Sequence, residues 1–419
     1  MSISVNHKTF SQILGINFSD EEMNALKKEA KLKAELRQIS DKDTFISGYL
    51  EARNQSDRLV RNIIEVPDFQ REFVWKEGSQ IRDLWSDIED VLISFNDDNK
   101  IKNHIGLFLG NIIFLDYSEK FEVIDGQQRF TSIFILISAF RTWLLNYRDY
   151  LISNNLNDDI SKVKNLTENL NNSLYNIGSN GQKKWRFRGA IKIRSLLEIL
   201  FDSDWYESEK NNTLNENTET IPDEDFLEIK LPYDIDEFRN ENFSDDWSKD
   251  EKNVIAIYRY FLRQINSFFK TNPDNYIHLY EIIHNLQFVQ VIVDDEKDAY
   301  VFFERTNSRG QTLEVVDLLK AYIFGSSTGT QINSTEIKQD WKDIIPDPSD
   351  VNKNKTFVTY FYNRLEGTTS HEKNLLFGNI KNLYTHKNQT DLSRQDNIQR
   401  LVSDLKEFSY FFNLLMWQK

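Results

Sequence analysis

FEVIDGQQRFTSIFILISAF, Phe121 to Phe140, is the stretch whose reading decides how this chain folds. Phe121, Val123 and Ile124 form a short apolar run, Asp125-Gly126-Gln127-Gln128-Arg129 interrupts it, and a helix-length apolar pattern starts near Phe130. That order predicts a strand, a tight turn and a helix start. A glycine at such a turn lets the backbone approach a ligand closely, and the N–H groups and dipole of the following helix favour an anion such as phosphate. Arg129 adds a planar, permanently charged fork suited to phosphate oxygens. Gln127 and Gln128 add amides able to position a base, a sugar hydroxyl or a water. From these residues two readings stand side by side: a nucleotide-phosphate site, or a structural turn whose arginine pairs with a carboxylate elsewhere.

Further blocks flank the turn. Upstream stand VPDFQREFVWKEGSQIRDLWSDI (Val66 to Ile88) and HIGLFLGNIIFL (His104 to Leu115); downstream stands FVQVIVDDEKDAYVFFERTNSRGQTLEVVDLLKAYIF (Phe288 to Phe324). Taken with the turn, in this order, they resemble the N-terminal domain of GmrSD-type, modification-dependent restriction endonucleases, over about residues 60 to 325. That family is similar to the ParB and sulfiredoxin superfamily, in which a glycine-containing turn ending in arginine holds nucleotide phosphates. The resemblance implies a mixed α/β fold with a ParB/sulfiredoxin-like nucleotide-binding core and a large, mainly helical remainder. It also implies binding and hydrolysis of an NTP, such as GTP, with Mg2+, coupled to restriction of modified foreign DNA. On this reading Asp125, Gln127, Gln128 and Arg129 carry the catalysis. Gln70 and Arg71 pack beside the turn, with Phe69 where a tyrosine is more usual, and Gly126 and Thr131 complete the phosphate site. Asn307 and Arg309 close over it from the FERTNSRG block, with Glu304, Asp317 and Lys320 as neighbours. Asp125 or Glu304 is the carboxylate for a magnesium ion, since hard cations attached to phosphates take oxygen ligands.

The chain divides into an N-terminal helical segment (1–58), a core with the turn (59–145), a helical region (146–325) and a C-terminal helical region (326–419). The third part contains an acidic, Asn-rich insertion at 202–251, too polar to bury much. A length of 419 residues allows two or three domains, and a formal net charge of −15 argues against coating nucleic acid with the whole surface. DNA contact must then be local or come from another module. The absence of cysteine excludes disulfides and thiolate metal sites and fits a reducing compartment. No basic, apolar leader is present, and no apolar stretch reaches the roughly 20 residues of a membrane helix, so a cytoplasmic protein without a membrane partner is expected.

KKWRFRGAIKIR, Lys183 to Arg194, holds six basic residues, no acids and two aromatics. Lys183, Lys184, Arg186 and Arg188 could meet DNA by charge and stacking; the alternation also makes a half-buried strand, the favoured reading. His278, Glu281 and His284 share a helix, but the usual zinc helix spaces two histidines by four, so ligation is disfavoured. Longer family members carry an HNH-type nuclease module with a His-x-x-Pro segment, and none of the six histidines here has proline at that position. The chain is therefore expected to be either the nucleotide-sensing subunit of a split system or a fragment that ends before the nuclease. The apolar spacing from Leu401 to Trp417 points to a partner, a nuclease module or a second copy in a homo-oligomer. The alternative function is a DNA-binding or nicking module that uses the same turn on backbone phosphates.

Overall fold

The computed structural model describes residues 3–14, 28, 31, 42, 63–67, 70, 73–95, 106–117, 120–156, 159–177, 181–202, 220–221, 229–230, 248–271, 273–295, 298–299, 315–327, 334–345, 351–366, 373–386 and 394–416. In chain order the elements begin with strand β1 (Ile3–Thr9), helix α1 (Phe10–Ile13), β2 (Ile64–Glu65) and, after a π-turn at Glu77–Ile81, α2 (Arg82–Ser94). Strand β3 (Phe108–Asp116) and β4 (Phe121–Asp125) lead into the long helix α3 (Gln127–Ser153) and then α4 (Ile160–Leu174). Short strands β5 (Tyr175–Ile177), β6 (Lys183–Trp185) and β7 (Phe187–Arg188) precede α5 (Arg194–Phe201). A small ribbon, β8 (Thr220–Ile221) with β9 (Ile229–Lys230), precedes α6 (Lys249–Thr271), α7 (Tyr276–His284) and β10 (Gln287–Val293). Among the described residues there follow α8 (Val315–Ser327), α9 (Ser334–Ile344), α10 (Val351–Glu366), α11 (Lys373–His386) and α12 (Arg394–Met416). The expected mixed α/β class with a large helical remainder is what forms.

Six strands make one mixed sheet in the order β1-β10-β3-β4-β2-β7. Strand β10 runs parallel to β3, β4 and β7 run parallel to β2, and the β1–β10 and β3–β4 pairs are antiparallel. Around residues 112–115 the sheet is covered on both faces, which is why β3 reads Ile112-Ile113-Phe114-Leu115 there without a polar break. Ile112, Phe114, Val123 and Phe288 enter a first core with α3 and its neighbours; Ile113, Leu115, Ile124, Val291 and Val293 enter a second core with α8 to α12. The two cores account for the alternation residue by residue.

Helix α3 is apolar around nearly its whole circumference, as a helix enclosed by protein must be. It is the one described helix long and apolar enough to cross a membrane, yet that window is wholly buried inside the protein. The expectation that no stretch reaches this length is corrected here: Arg141 interrupts the apolar run in the sequence, but the helix continues through it. The Arg141 guanidinium is fully buried and donates to the carbonyls of Phe201 (2.6 Å) and Leu200 (2.8 Å), at the end of α5. A charge in the core is tolerated because it caps carbonyls that lack helical partners. Against α6, the Tyr258 hydroxyl donates to Thr142 (2.7 Å) and the Trp143 indole to Asn266 (3.1 Å). Burial pushes the Tyr258 phenol up to about 12, so it stays a neutral donor.

The N-terminal expectation needs another correction. Residues 3 to 9 form an edge strand, not a helix, because Ile3-Ser4-Val5-Asn6-His7 alternates and finds β10 as its partner. Lys28 and Lys31 are helical and exposed, and most of 1–58 lies outside the described residues, as does most of the acidic insertion.

His284, one of the three candidate ligands on α7, is taken up in packing. It is buried, its Nδ1 donates to the Tyr280 carbonyl (2.9 Å) and its Nε2 lies 3.0 Å from the Ser173 hydroxyl. Both ring nitrogens are used in packing, and no group of three or more metal-ligating side chains occurs among the described residues. Burial lowers its pKa to about 4. The unfolded chain therefore binds a proton that the folded chain resists, so stability is complete above about pH 6.5 and falls with decreasing pH. Urea titration should show a loss of about 3 kcal/mol through this residue between pH 6.5 and 4, and His284→Gln should flatten that limb while lowering stability at pH 7.

Candidate functional site

Three local features build the site around the turn. A β-bulge comes first: Ile113 pairs with Asp125 but Phe114 pairs with Val123, so Ile124 is an additional residue in β4. Since cross-strand partners share a face, the bulge places Asp125 on the second face, beside Ile113. Next is Gly126, the residue before α3, at φ +93, ψ 6. A side chain there would be strained, and its Cβ would stand 2.9 Å from Ile112 Cγ1. The last is Gly110 in β3, also at φ +93, where a Cβ would lie 2.7 Å from Arg129 Nη1. This glycine opens the room in which the arginine lies.

Arg129 leaves the first turn of α3 and reaches back over β3. Its Nη1 donates to the Leu109 carbonyl (2.7 Å), and Nη2 lies 3.4 Å from Asp125 Oδ2, with both side chains about a fifth exposed. The backbone bond is short and fixes the plane of the fork; the carboxylate contact is long for a charge-assisted bond and correspondingly loose. A guanidinium carries five N–H donors, so the two contacts leave capacity for an anion at the mouth.

The glutamines have different surroundings. Gln128 is buried, and its Oε1 accepts from the backbone N–H of Val74 (2.8 Å) and Trp75 (3.2 Å), while Asn253 donates to the Trp75 carbonyl (2.7 Å). This clamp holds the 73–75 segment against the start of α3. Gln127 is also buried, as is Thr131, which sits one helical turn into the core. Gln70 is brought to the turn: its Nε2 donates to the Ile124 carbonyl (3.2 Å). Arg71, Glu304, Asn307 and Arg309 lie outside the described residues; Asp317 lies in α8, and Lys320 is buried there.

The basic stretch turns inward. Arg186 is 1% exposed, and its guanidinium donates to the carbonyls of Asn172 and Leu14 and to the Asn176 amide oxygen. Lys183 pairs with Asp202 (2.5 Å) and lies over the Tyr175 ring. Arg188 lies 3.6 Å from Glu65, and Lys184 is exposed. The half-buried strand reading describes this segment, split at Arg186 between β6, which pairs with β5, and β7 in the main sheet.

Sequence reasoning missed an ion network on the second face of the sheet. Glu65 Oε2 accepts from Lys120 (2.7 Å) and its Oε1 lies 3.3 Å from Arg194, while Lys120 also pairs with Glu122 (3.0 Å). Burial alone would lower the Lys120 ammonium, but its bonds to Glu65 and Glu122 outweigh this and hold its pKa above the usual lysine range. A single carboxylate in the apolar run Ile63-Ile64-Glu65-Val66 is the signal that could have revealed it.

The model of the GmrSD restriction endonuclease N-terminal domain matches residues 46–324. No curated protein matches the chain.

Gly126→Ala should destabilise the protein by about 2 kcal/mol, from positive φ plus the Ile112 contact, read as a lower urea midpoint. Gly110→Ala should cost less, since the tip of Arg129 can move, but should displace Arg129 from Leu109; a crystal structure of the variant checks this.

Proposed function

The chain belongs to the GmrSD restriction endonuclease N-terminal domain family and so to a restriction system whose substrate is DNA, and we propose that its part in that system is to bind and hydrolyse a nucleoside triphosphate at the Asp125–Arg129 turn. The observation that carries this reading is the placement of Arg129: fixed by the Leu109 carbonyl, loosely paired with Asp125, and set at the N-terminus of a helix whose dipole favours an anion. In the free protein Asp125 and Arg129 neutralise one another across a long contact. An incoming triphosphate takes over the guanidinium, with Gly126, at positive φ and packed on Ile112, setting the sharp turn that presents the start of α3.

The donor set fits Mg2+, which is usually held by one or two carboxylates together with substrate phosphates. Asp125, part-exposed on the second face, would hold it, and the ion would neutralise charge on the transferred phosphoryl group. Gln70 and Gln128 act as positioning residues: one bonds the end of β4 at Ile124, the other fixes the 73–75 segment. Nucleotide state then governs a nuclease module. The DNA-phosphate alternative is weakened by the inward arginine and lysine of the basic stretch.

Hydrolysis and binding of GTP, ATP, CTP and UTP by wild type and Arg129→Ala, with and without duplex DNA, test the reading. Arg129→Ala should lose about 10- to 100-fold in nucleotide affinity, the worth of a charge-assisted pair of bonds, and Asp125→Asn should bind but turn over at least tenfold more slowly. Tight duplex binding that depends on Arg129, with no nucleotide bound, would overturn it.

A further inference from the structure

The second face of the sheet is not covered along its whole length. Its apolar half, around Ile113, Leu115, Val291 and Val293, lies under α8 to α12. Toward the start of β3 and β10 the same face carries other residues. The register pairs Gln287 with Phe108 and Val289 with Asn111, so Phe108, Gln287 and Asn111 project on the side that Asp125 shares. Leu107 and Leu109, by contrast, pack against the first core. Phe108 is 55% exposed although it sits inside a paired strand, and Asn111 is exposed beside it. An aromatic ring more than half exposed between two inward-turned leucines leaves a large apolar face open to solvent.

The ring stands in a definite relation to the phosphate turn. The Leu109 carbonyl, next in sequence to Phe108, is the group that holds Arg129, and Gly110 makes room for the guanidinium. At about 3.3 Å of strand rise per residue, Phe108 lies about 7 Å from Gly110 along β3, so a sugar can bridge a base over the ring and phosphates at the arginine. A second glycine shapes the far side: a Cβ at Gly106 would stand 2.0 Å from Gln287 Nε2, so the bare backbone there lets the Gln287 carboxamide lie close.

We propose that Phe108 is the stacking platform for the base of the bound nucleotide, and that the carboxamides of Asn111 and Gln287 beside it read the polar edge of that base. The assignment rests on the phosphate reading of the Arg129 turn. Stacking is available to every base, because each has a π face, whereas a carboxamide both donates and accepts and so discriminates among edges. Preference among the four nucleotides therefore resides in Asn111 and Gln287, and general affinity in Phe108.

Isothermal titration of the full chain with GTP, ATP, CTP, UTP and inorganic tripolyphosphate, each with Mg2+, tests this in wild type, Phe108→Ala, Phe108→Trp and Arg129→Ala. Phe108→Ala should lose about tenfold or more in affinity for the preferred nucleotide and keep its affinity for tripolyphosphate. Phe108→Trp should restore binding and add a fluorescence change on nucleotide addition that wild type lacks. Nucleotide affinity unchanged in Phe108→Ala but lost in Arg129→Ala would overturn the platform and leave the phosphate turn standing. An equal loss for nucleotide and tripolyphosphate in Phe108→Ala would make Phe108 a structural residue, which also overturns it. Wild-type affinity in Arg129→Ala, or no nucleotide bound by the wild type, would remove the phosphate reading and the platform with it.

Discussion

Helix α3 must be enclosed, and the rest of the structure follows from that requirement. Its 27 residues present apolar side chains in every direction, so no single partner can satisfy it. The sheet covers one side, α4 and α6 cover others, and α5 is brought in by its own end, whose carbonyls supply the acceptors that the buried Arg141 needs. Removing that arginine would leave buried carbonyls without donors, at about 1–3 kcal/mol each. The helix and its wrapping are therefore one cooperative unit.

The candidate site inherits its rigidity from this arrangement. Gly126 is at once the end of β4's turn and the residue before α3, so the turn cannot move without disturbing either the sheet or the helix packed on it. Arg129 and Gln128 bond to different parts of the fold. The arginine returns to the open end of β3, and the glutamine fixes the backbone at Val74 and Trp75. A neutral amide suits the second task, because it is buried against two backbone donors.

The sheet itself depends on residues past the family match. That match ends at residue 324, within α8, yet α9 to α12 contribute Trp341, Phe357, Phe361 and Leu401 to the core on the second face. Without them the outward sides of β3 and β10 would be bare over exactly the strands that carry the turn's partners. Covering one end of that face while leaving Phe108 and Asn111 exposed at the other gives the sheet a lined edge beside Arg129.

Sequence alone determined the strand, turn and helix start of residues 121 to 140, the alternation in β10, and the family, because these are set by local period, glycine chemistry and side-chain type. It also allowed both readings of the basic stretch from Lys183, and both readings of the arginine. Tertiary structure decided the first of these and gave the arginine its acceptor. Arg186 is buried because carbonyls from distant segments converge on it, and Arg129 finds its acceptor twenty residues back, in a strand whose bulge no local pattern announces. The strand at residues 3 to 9 exists because β10 offers an edge to pair with. Register and the positions of backbone acceptors depend on contacts between segments far apart in the chain, and those contacts, unlike periodicity, exist only once the chain has folded.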